Sequence, residues 1–202
     1  MKIEKINDSL YVLEDFIPPL WQDIIEGYFR FDAPWNPVYN VAFDPSDENA
    51  LKHGERRGYS CVLSYDEHPF PNPKDKAFHF IFPMVLVAFD AIGKNIKDIL
   101  YSRAFKTPPD YEDADPFHTD HEHEHWVCLY YVHDVDGPTI LCNEMWPDVK
   151  KGEITQTKFT EFMKSHPKKG KAIVFDGRRY HSSTRSKTED RIIVNTTVLL
   201  DE

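Results

Sequence analysis

Cysteine is scarce in this chain. The three cysteines, Cys61, Cys128 and Cys142, are odd in number, and none belongs to a CxxC pair. A disulfide framework or a thiolate zinc site needs more cysteines or a closer spacing. We therefore expect three reduced thiols, mostly buried as small apolar side chains.

Long apolar runs are also missing. The best candidate for a membrane span, residues 77–93, is shorter than the roughly 20 residues that a bilayer requires, and it contains His79, Pro83 and Asp90. The first eight residues carry charge and lack the apolar stretch of a secretory signal. The sequence predicts a core helix at 77–93, no membrane association and a cytoplasmic protein, in the host cytoplasm if the chain is viral.

Positive charge is in deficit. The chain has 24 basic residues against 34 acidic ones, which gives a formal net charge of −10. Such a chain as a whole is repelled by polyphosphate and by anionic lipid. Nucleic acid is therefore not expected as a partner.

The apolar residues predict one domain, 1–202, built from two different parts. The chain has 202 residues, of which 41% are hydrophobic, and this is enough for one core but short for two. Residues 1–98 are predicted to form an N-terminal helical layer, with helices at Leu20–Phe31 and Lys74–Ile92. A first strand is expected at Ser9–Phe16. The stretch Asp32–Pro73 is expected to be mainly loop, with a strand at 59–65.

Residues 99–202 have the pattern of a β-rich core, because short β-favouring runs alternate with turn residues. The predicted strands are Ile99–Lys106, His125–His133, Thr139–Asn143, Lys171–Asp176 and Arg191–Leu199. A short helix is predicted at Lys158–His166. The predicted class is α+β, mainly β, with the N-terminal helices packed on one sheet of a sandwich or small barrel.

Histidine is concentrated in one short segment, 116–125, which holds four of the ten histidines. His118 and Asp120 lie two residues apart and would share one face of an extended strand. His181 follows the predicted strand Lys171–Asp176. Two imidazoles and one carboxylate form the facial triad of non-haem Fe(II) sites, which leaves metal positions open. A solvated acidic loop is the alternative, since a single HxD is weakly specific.

The last predicted strand begins with a basic residue. Arg191 lies ten positions after His181, and strand alternation places Ile193, Asn195 and Thr197 on its face. A guanidinium offers a planar fork that matches a carboxylate, and inside a barrel it would otherwise be an unpaired charge. The alternative for Arg191 is a surface ion pair with an adjacent acidic residue.

Together these features resemble the Fe(II)/2-oxoglutarate-dependent oxygenases, and within them the prolyl hydroxylase-like branch. The similarity runs from about Ile99 to the C-terminus. It rests on the HxD motif at 118–120, the strand Leu129–Val132, the Gly-x-Thr stretch at 137–139, the run Gly170–Phe175, the distal His181 and the basic residue ten positions beyond it.

The resemblance implies a double-stranded β-helix (jelly roll) in which His118, Asp120 and His181 hold Fe(II). It also implies that 2-oxoglutarate is clamped by Arg191 and hydrogen-bonded by Tyr131, with ascorbate as an auxiliary reductant. The implied activity is a dioxygenase reaction, most simply hydroxylation of a peptidyl or protein residue such as proline. A peptide or protein substrate is favoured over a small molecule.

Other interpretations remain open from sequence. A cupin-type metalloprotein would use an HxH run, which His121, His123 and His125 offer, and these three could also form a second metal site. A non-catalytic binding module or virion-associated protein with a vestigial site is a further alternative. The nucleic-acid dealkylating branch is disfavoured, because Thr197 stands where that branch has a second arginine.

Several residues near the predicted site have no assigned role. The register of Tyr101 and Arg103 on the preceding strand is unclear, and Arg178 and Arg179 are interpreted as solvated strand-end charges.

The segment Trp146–His166, with its aromatic residues Trp146, Phe159 and Phe162, is expected to cover the cavity mouth as a lid.

Overall fold

A computed structural model describes residues 1–42, 56–67, 70–110 and 114–201. Its helices are α1 (Pro19–Gly27), continued by a π-helical turn (Tyr28–Asp32), and α2 (Phe78–Ala91), with a 3-10 turn at Lys151–Glu153. Its strands are β1 (Lys2–Asn7), β2 (Leu10–Glu14), β3 (Asn36–Val38), β4 (Gly58–Glu67), β5 (Phe70–Pro73), β6 (Ile96–Thr107), β7 (Trp126–Tyr131), β8 (Thr139–Met145), β9 (Glu161–Ser165), β10 (Lys171–Asp176), β11 (Arg179–Ser183) and β12 (Arg191–Leu200).

The strands form two antiparallel sheets of unequal size. The large sheet has the order β1-β2-β10-β7-β12-β6-β4-β3, with β5 paired to β4, and the small sheet has the order β11-β8-β9. Leu141 of the small sheet packs with Leu129, Ile173 and Ile193 of the large sheet. The two sheets therefore enclose an apolar interior, as in a β-sandwich.

The outer face of the large sheet is covered by helices. Residues of α2 spaced three or four apart, such as Ile81, Met84, Val85 and Ala88, are fully buried in one cluster with residues of β7, β10 and β12. Pro83 lies inside α2 and does not divide it. The predicted α+β class, with helices on one sheet, is confirmed. Among the described residues, no helix combines the length and the apolar composition needed to cross a bilayer.

The N-terminal part differs from the prediction. The predicted strand at Ser9–Phe16 is present as β2, but residues 1–98 also supply β1, β3, β5 and the start of β6 to the large sheet. The strand β2 pairs with β1 on one side and with β10 on the other. This pairing depends on a strand far away along the chain, which local periodicity does not reveal. The predicted strand at 59–65 is present within β4, and the residues 43–55 and 68–69 of the predicted loop lie outside the described residues.

The predicted helix at Lys158–His166 is wrong. The structure has the strand β9 there, and β9 pairs with β8 through Thr139 with Ser165 and Leu141 with Met163. Backbone hydrogen bonds to β8 therefore decide the conformation against the local helical pattern. The strand β11, which contains His181, was also not predicted, although His181 does follow the predicted strand Lys171–Asp176.

Candidate metal centre

Three side chains from two separate parts of the chain converge inside the sandwich. One ligand atom from each of His118, Asp120 and His181 lies within 4.8 Å of the other two. The backbones of His118 and His181 form an isolated antiparallel bridge, with N to O distances of 3.0 and 2.9 Å. This bridge places the two imidazoles on one side, with ring centres 4.6 Å apart. The structure thus brings together the three residues that the sequence singled out.

Backbone carbonyls orient both imidazoles. His118 Nδ1 lies 3.0 Å from the carbonyl oxygen of Pro116, and His181 Nδ1 lies 3.0 Å from that of Arg179. A carbonyl oxygen only accepts, so Nδ1 carries the proton in each ring and Nε2 keeps its lone pair. His181 Nε2 is 3.8 Å from Asp120 Oδ2. Both rings are therefore in the tautomer that ligates a metal through Nε2.

The surroundings also fix the protonation states. Burial, with a further contribution from His118, lowers the pKa of His181 to about 4. Burial alone would raise the pKa of Asp120, but His181, His118 and other neighbours outweigh it and lower that pKa to about 2. At neutral pH His181 is thus neutral and Asp120 is a carboxylate, which are the forms that bind a cation.

Two further side chains hold Asp120 in place. Tyr101 on β6 donates to Asp120 Oδ1 at 2.8 Å, and Asn195 Nδ2 on β12 lies 3.2 Å from both carboxylate oxygens. Burial and the Asp120 charge raise the pKa of Tyr101 well above its usual value, so it remains a donor. Sequence reasoning left Tyr101 without a role because its register was unclear. Strand alternation from Arg191 did identify the face that carries Asn195.

Arg191 lies deep inside the protein, with 2% of its surface exposed. Its Nε donates to the Gly137 carbonyl at 2.9 Å, and its Nη2 donates to Thr139 Oγ1 at 2.8 Å. Gly137 has a φ of 93°, and an added Cβ would lie 2.6 Å from the Thr184 carbonyl oxygen, so glycine is required there. The Gly-x-Thr stretch noted in the sequence therefore positions this guanidinium. Among the described residues, no carboxylate forms an ion pair with Arg191, and Glu189 pairs with Arg30 instead.

Tyr131 is the remaining predicted site residue. It lies on the interior face of β7, with the Arg191 guanidinium carbon 5.9 Å from its ring centre, whereas Tyr130 packs on the helical side. Its hydroxyl is 2.9 Å from Thr139 Oγ1 and 3.1 Å from the Ser165 carbonyl oxygen. Tyr131 is thus next to Arg191, but it does not line the cavity, and its contact with a co-substrate stays a prediction.

A single cavity of about 760 Å³ contains the centre. The three candidate ligands line it together with Arg191, Thr139, Asn195, Tyr101 and Arg103. Trp146, Phe159 and Phe162 do not line it, so the lid prediction is wrong. Trp146 and Phe159 instead pack with Cys142 and Tyr180 in a separate apolar cluster.

His121, His123 and His125 lie close together but apart from the candidate ligand set. The rings of His121, His123 and His125 have centres 4.8 to 5.8 Å apart, but in the described part of the chain only the 118, 120 and 181 set brings three ligand atoms together. The described residues therefore form no second metal site.

Arg178 pairs with Asp176 at 2.7 Å and Arg179 is buried, so only Arg178 fits the predicted strand-end charge.

The chain is similar to known proteins in structure but not in sequence. No family model and no curated protein sequence matches the chain. A 2OG-Fe(II) oxygenase family oxidoreductase from Burkholderia pseudomallei superposes with a TM-score of 0.60 at 13% identity, covering 94% of this chain and 84% of that one. A prolyl hydroxylase from Trichoplax adhaerens, solved with a hypoxia inducible factor peptide, gives 0.59 at 11%, covering 96% and 84%.

A third similar structure has a small-molecule ligand. HygX from Streptomyces hygroscopicus, solved with nickel, 2-oxoglutarate and hygromycin B, gives a TM-score of 0.55 at 10% identity, covering 94% of this chain and 82% of that one. At such identities the similarity establishes the fold. The chain has the fold of the 2OG-Fe(II) oxygenases, and the predicted double-stranded β-helix is confirmed.

Proposed function

We propose that this chain, built on the fold of the 2OG-Fe(II) oxygenases, is an Fe(II)- and 2-oxoglutarate-dependent dioxygenase. One observation carries the proposal: His118, Asp120 and His181 converge in the same cavity as Arg191, a buried guanidinium without an acidic partner among the described residues. Two imidazole nitrogens and one carboxylate are the donor set that non-haem Fe(II) uses. The residues present therefore fit the metal.

When bound, Fe(II) with 2-oxoglutarate and O₂ supplies the oxidising chemistry, which converts 2-oxoglutarate to succinate and CO₂ and hydroxylates a substrate. Arg191 supplies a fixed cation for the carboxylate of 2-oxoglutarate far from the metal. Thr139 and the Gly137 carbonyl already hold its guanidinium in one orientation. Little side-chain entropy is lost when the co-substrate binds, because this arginine is ordered beforehand.

At the metal, the protein's own residues orient the three ligands and shield them from water. Tyr101 and Asn195 fix the Asp120 carboxylate, and the carbonyls of Pro116 and Arg179 fix the two imidazoles. Asp120 and His181 are nearly inaccessible to water, with side chains 7% and 5% exposed. Such second partners hold ligands in the geometry that the metal requires.

For the substrate, we propose hydroxylation of a peptidyl or protein residue such as proline, with ascorbate as an auxiliary reductant. Two observations support this proposal: the motifs of residues 99–202 resemble the prolyl hydroxylase-like branch, and prolyl hydroxylases are among the structures that superpose on the chain. The HygX similarity makes small-molecule oxidation the second candidate.

An anaerobic titration tests the central proposal. Addition of Fe(II) and 2-oxoglutarate to the wild-type protein is expected to give a visible metal-to-ligand charge-transfer band, and to give succinate once O₂ is admitted. Asp120→Ala should abolish both, and Arg191→Met should weaken 2-oxoglutarate binding by at least about tenfold, because the charge-assisted hydrogen bonds are lost. Neither a cupin-type protein of other activity nor a vestigial site predicts the band, so its absence from the wild type would refute the oxygenase assignment.

A further inference from the structure

A second guanidinium lines the same cavity, and nothing in the proposed reaction uses it. Arg103 lies on β6, where it is paired with Asn195 of β12 and with Val62 of β4. Strand alternation puts Arg103 on the same face as Tyr101, two residues away. Tyr101 and Asn195 both hydrogen-bond to Asp120, so Arg103 stands directly beside the residues that hold a metal ligand.

Aromatic rings surround this guanidinium. Its central carbon is 5.6 Å from the ring centres of Tyr101 and Phe105, and 5.9 Å from that of Tyr65. These distances are within the range of cation–π attraction. The rings also displace water from the cation, which strengthens its attraction for any anion that reaches it.

Among the described residues, few groups accept a hydrogen bond from Arg103. The one such hydrogen bond of its side chain runs from Nη2 to the Tyr65 hydroxyl at a long 3.5 Å, and Nε is buried without an acceptor. In the described part of the chain no carboxylate forms an ion pair with it. The buried Arg185 differs in this respect, because it pairs with Asp115 at 3.3 Å.

An arginine without an acidic partner among the described residues is notable in a chain that has ten more acidic than basic residues. A half-buried guanidinium with a buried donor that makes no hydrogen bond lowers the stability of the fold unless an anion accepts from it. Arg191 is in the same position, and 2-oxoglutarate is the anion proposed for it. Because the cavity encloses about 760 Å³, it has room for a second small group beside the co-substrate.

We propose that Arg103, between the rings of Tyr65 and Tyr101, binds a carboxylate group of the substrate and so determines specificity for it. This inference rests on the proposed oxygenase function. The planar fork of a guanidinium matches a carboxylate in particular. Only the Tyr101 side chain separates an anion at Arg103 from the candidate metal ligand Asp120. The substrate carbon that is oxidised is therefore close to the bound carboxylate. The carboxylate belongs either to a free amino acid or to an acidic residue beside the target residue of a peptide.

Calorimetry on a loaded protein that does not turn over tests this proposal. The protein is saturated with Zn(II) and 2-oxoglutarate and titrated with three probe sets: free L-amino acids, the corresponding amino acid amides, and blocked proline tripeptides with Asp or Asn next to the proline. We expect carboxylate probes to bind at least about tenfold tighter than their amide counterparts. Preference among the amino acids identifies a free substrate, and preference for Asp over Asn in the tripeptides identifies a peptide.

Variants of Arg103 locate the effect. R103M is expected to abolish the carboxylate preference, and R103K is expected to retain part of it. If R103M does not fold, as judged by circular dichroism, R103Q replaces it. Absence of a carboxylate preference in the wild type, or its persistence in the neutral variant, overturns the proposal.

The two proposals fail in different ways. If R103M weakens 2-oxoglutarate binding as much as Arg191→Met does, Arg103 serves the co-substrate and the specificity role is overturned. If the Fe(II) and 2-oxoglutarate band is missing from the wild type, the oxygenase function fails. Carboxylate binding to the Zn(II) protein is read separately from that band and still decides the role of Arg103.

Discussion

At the scale of single residues, the centre depends on the groups that hold its ligands as well as on the ligands. Asp120 receives hydrogen bonds from Tyr101 and from Asn195, which lie on neighbouring strands. Both partners determine where the carboxylate points. Alternation along β12 could predict the side of Asn195, but the position of Tyr101 depends on the β6 to β12 register.

Tyr101→Phe is therefore expected to weaken metal binding without removing a ligand. Loss of one hydrogen bond to a ligating carboxylate typically lowers metal affinity by about 10- to 100-fold. The measurement is Zn(II) affinity by competition with a chelator. Tyr131→Phe is the matched control, because its hydroxyl contacts Thr139 and Ser165 rather than a ligand. Equal affinities for the two variants would contradict the orienting role of Tyr101.

At the scale of secondary-structure elements, helix α2 is predictable because its burial is local and periodic. Its buried residues follow helical spacing, and the sequence prediction at 74–92 differs from the observed helix mainly at its first residues. The strand β9 is the opposite case. Its local pattern favours a helix, and only pairing with β8 makes it a strand.

Burial in α2 predicts a clear difference between two neighbouring side chains. Met84→Ala is expected to lower the free energy of unfolding by about 2 to 5 kcal/mol, because Met84 is fully buried and its removal leaves a cavity. Leu86→Ala, at a position that is 42% exposed, should cost less than about 1 kcal/mol. Urea denaturation measures both. Similar losses in the two variants would mean that α2 does not pack on the sheet through the Met84 face.

At the scale of the whole molecule, the sequence predicts the class, the triad and Arg191, since each rests on a short motif with a defined spacing. It does not predict the N-terminal strands β1, β3 and β5, the role of Tyr101 or the surroundings of Arg103, because these depend on pairing between distant strands. The cavity joins both kinds of residue, with His118 and His181 from motifs and Tyr101 and Arg103 from sheet register. Sequence motifs therefore identify the candidate metal ligands, and the pairing register of the strands determines which side chains surround them.

Metal binding should stabilise the whole fold by mass action. At a Zn(II) concentration one hundred times the dissociation constant, the expected gain is about 2.7 kcal/mol, provided that the unfolded chain does not bind the ion. Thermal melts with Zn(II) and with EDTA measure it. His181→Ala, which removes a ligand, should show no such difference between the two melts, and a full difference in that variant would place the ion elsewhere.

The backbone bridge between His118 and His181 has one further consequence. His118 precedes β7 of the large sheet, and His181 belongs to β11 of the small sheet. An ion bound by both imidazoles is thus a reversible crosslink between the two sheets, and it closes a long loop of chain. Removal of the ion by a chelator would first weaken the contact between the sheets. Amide hydrogens of β11 would then exchange with deuterium before those of β7 and β10.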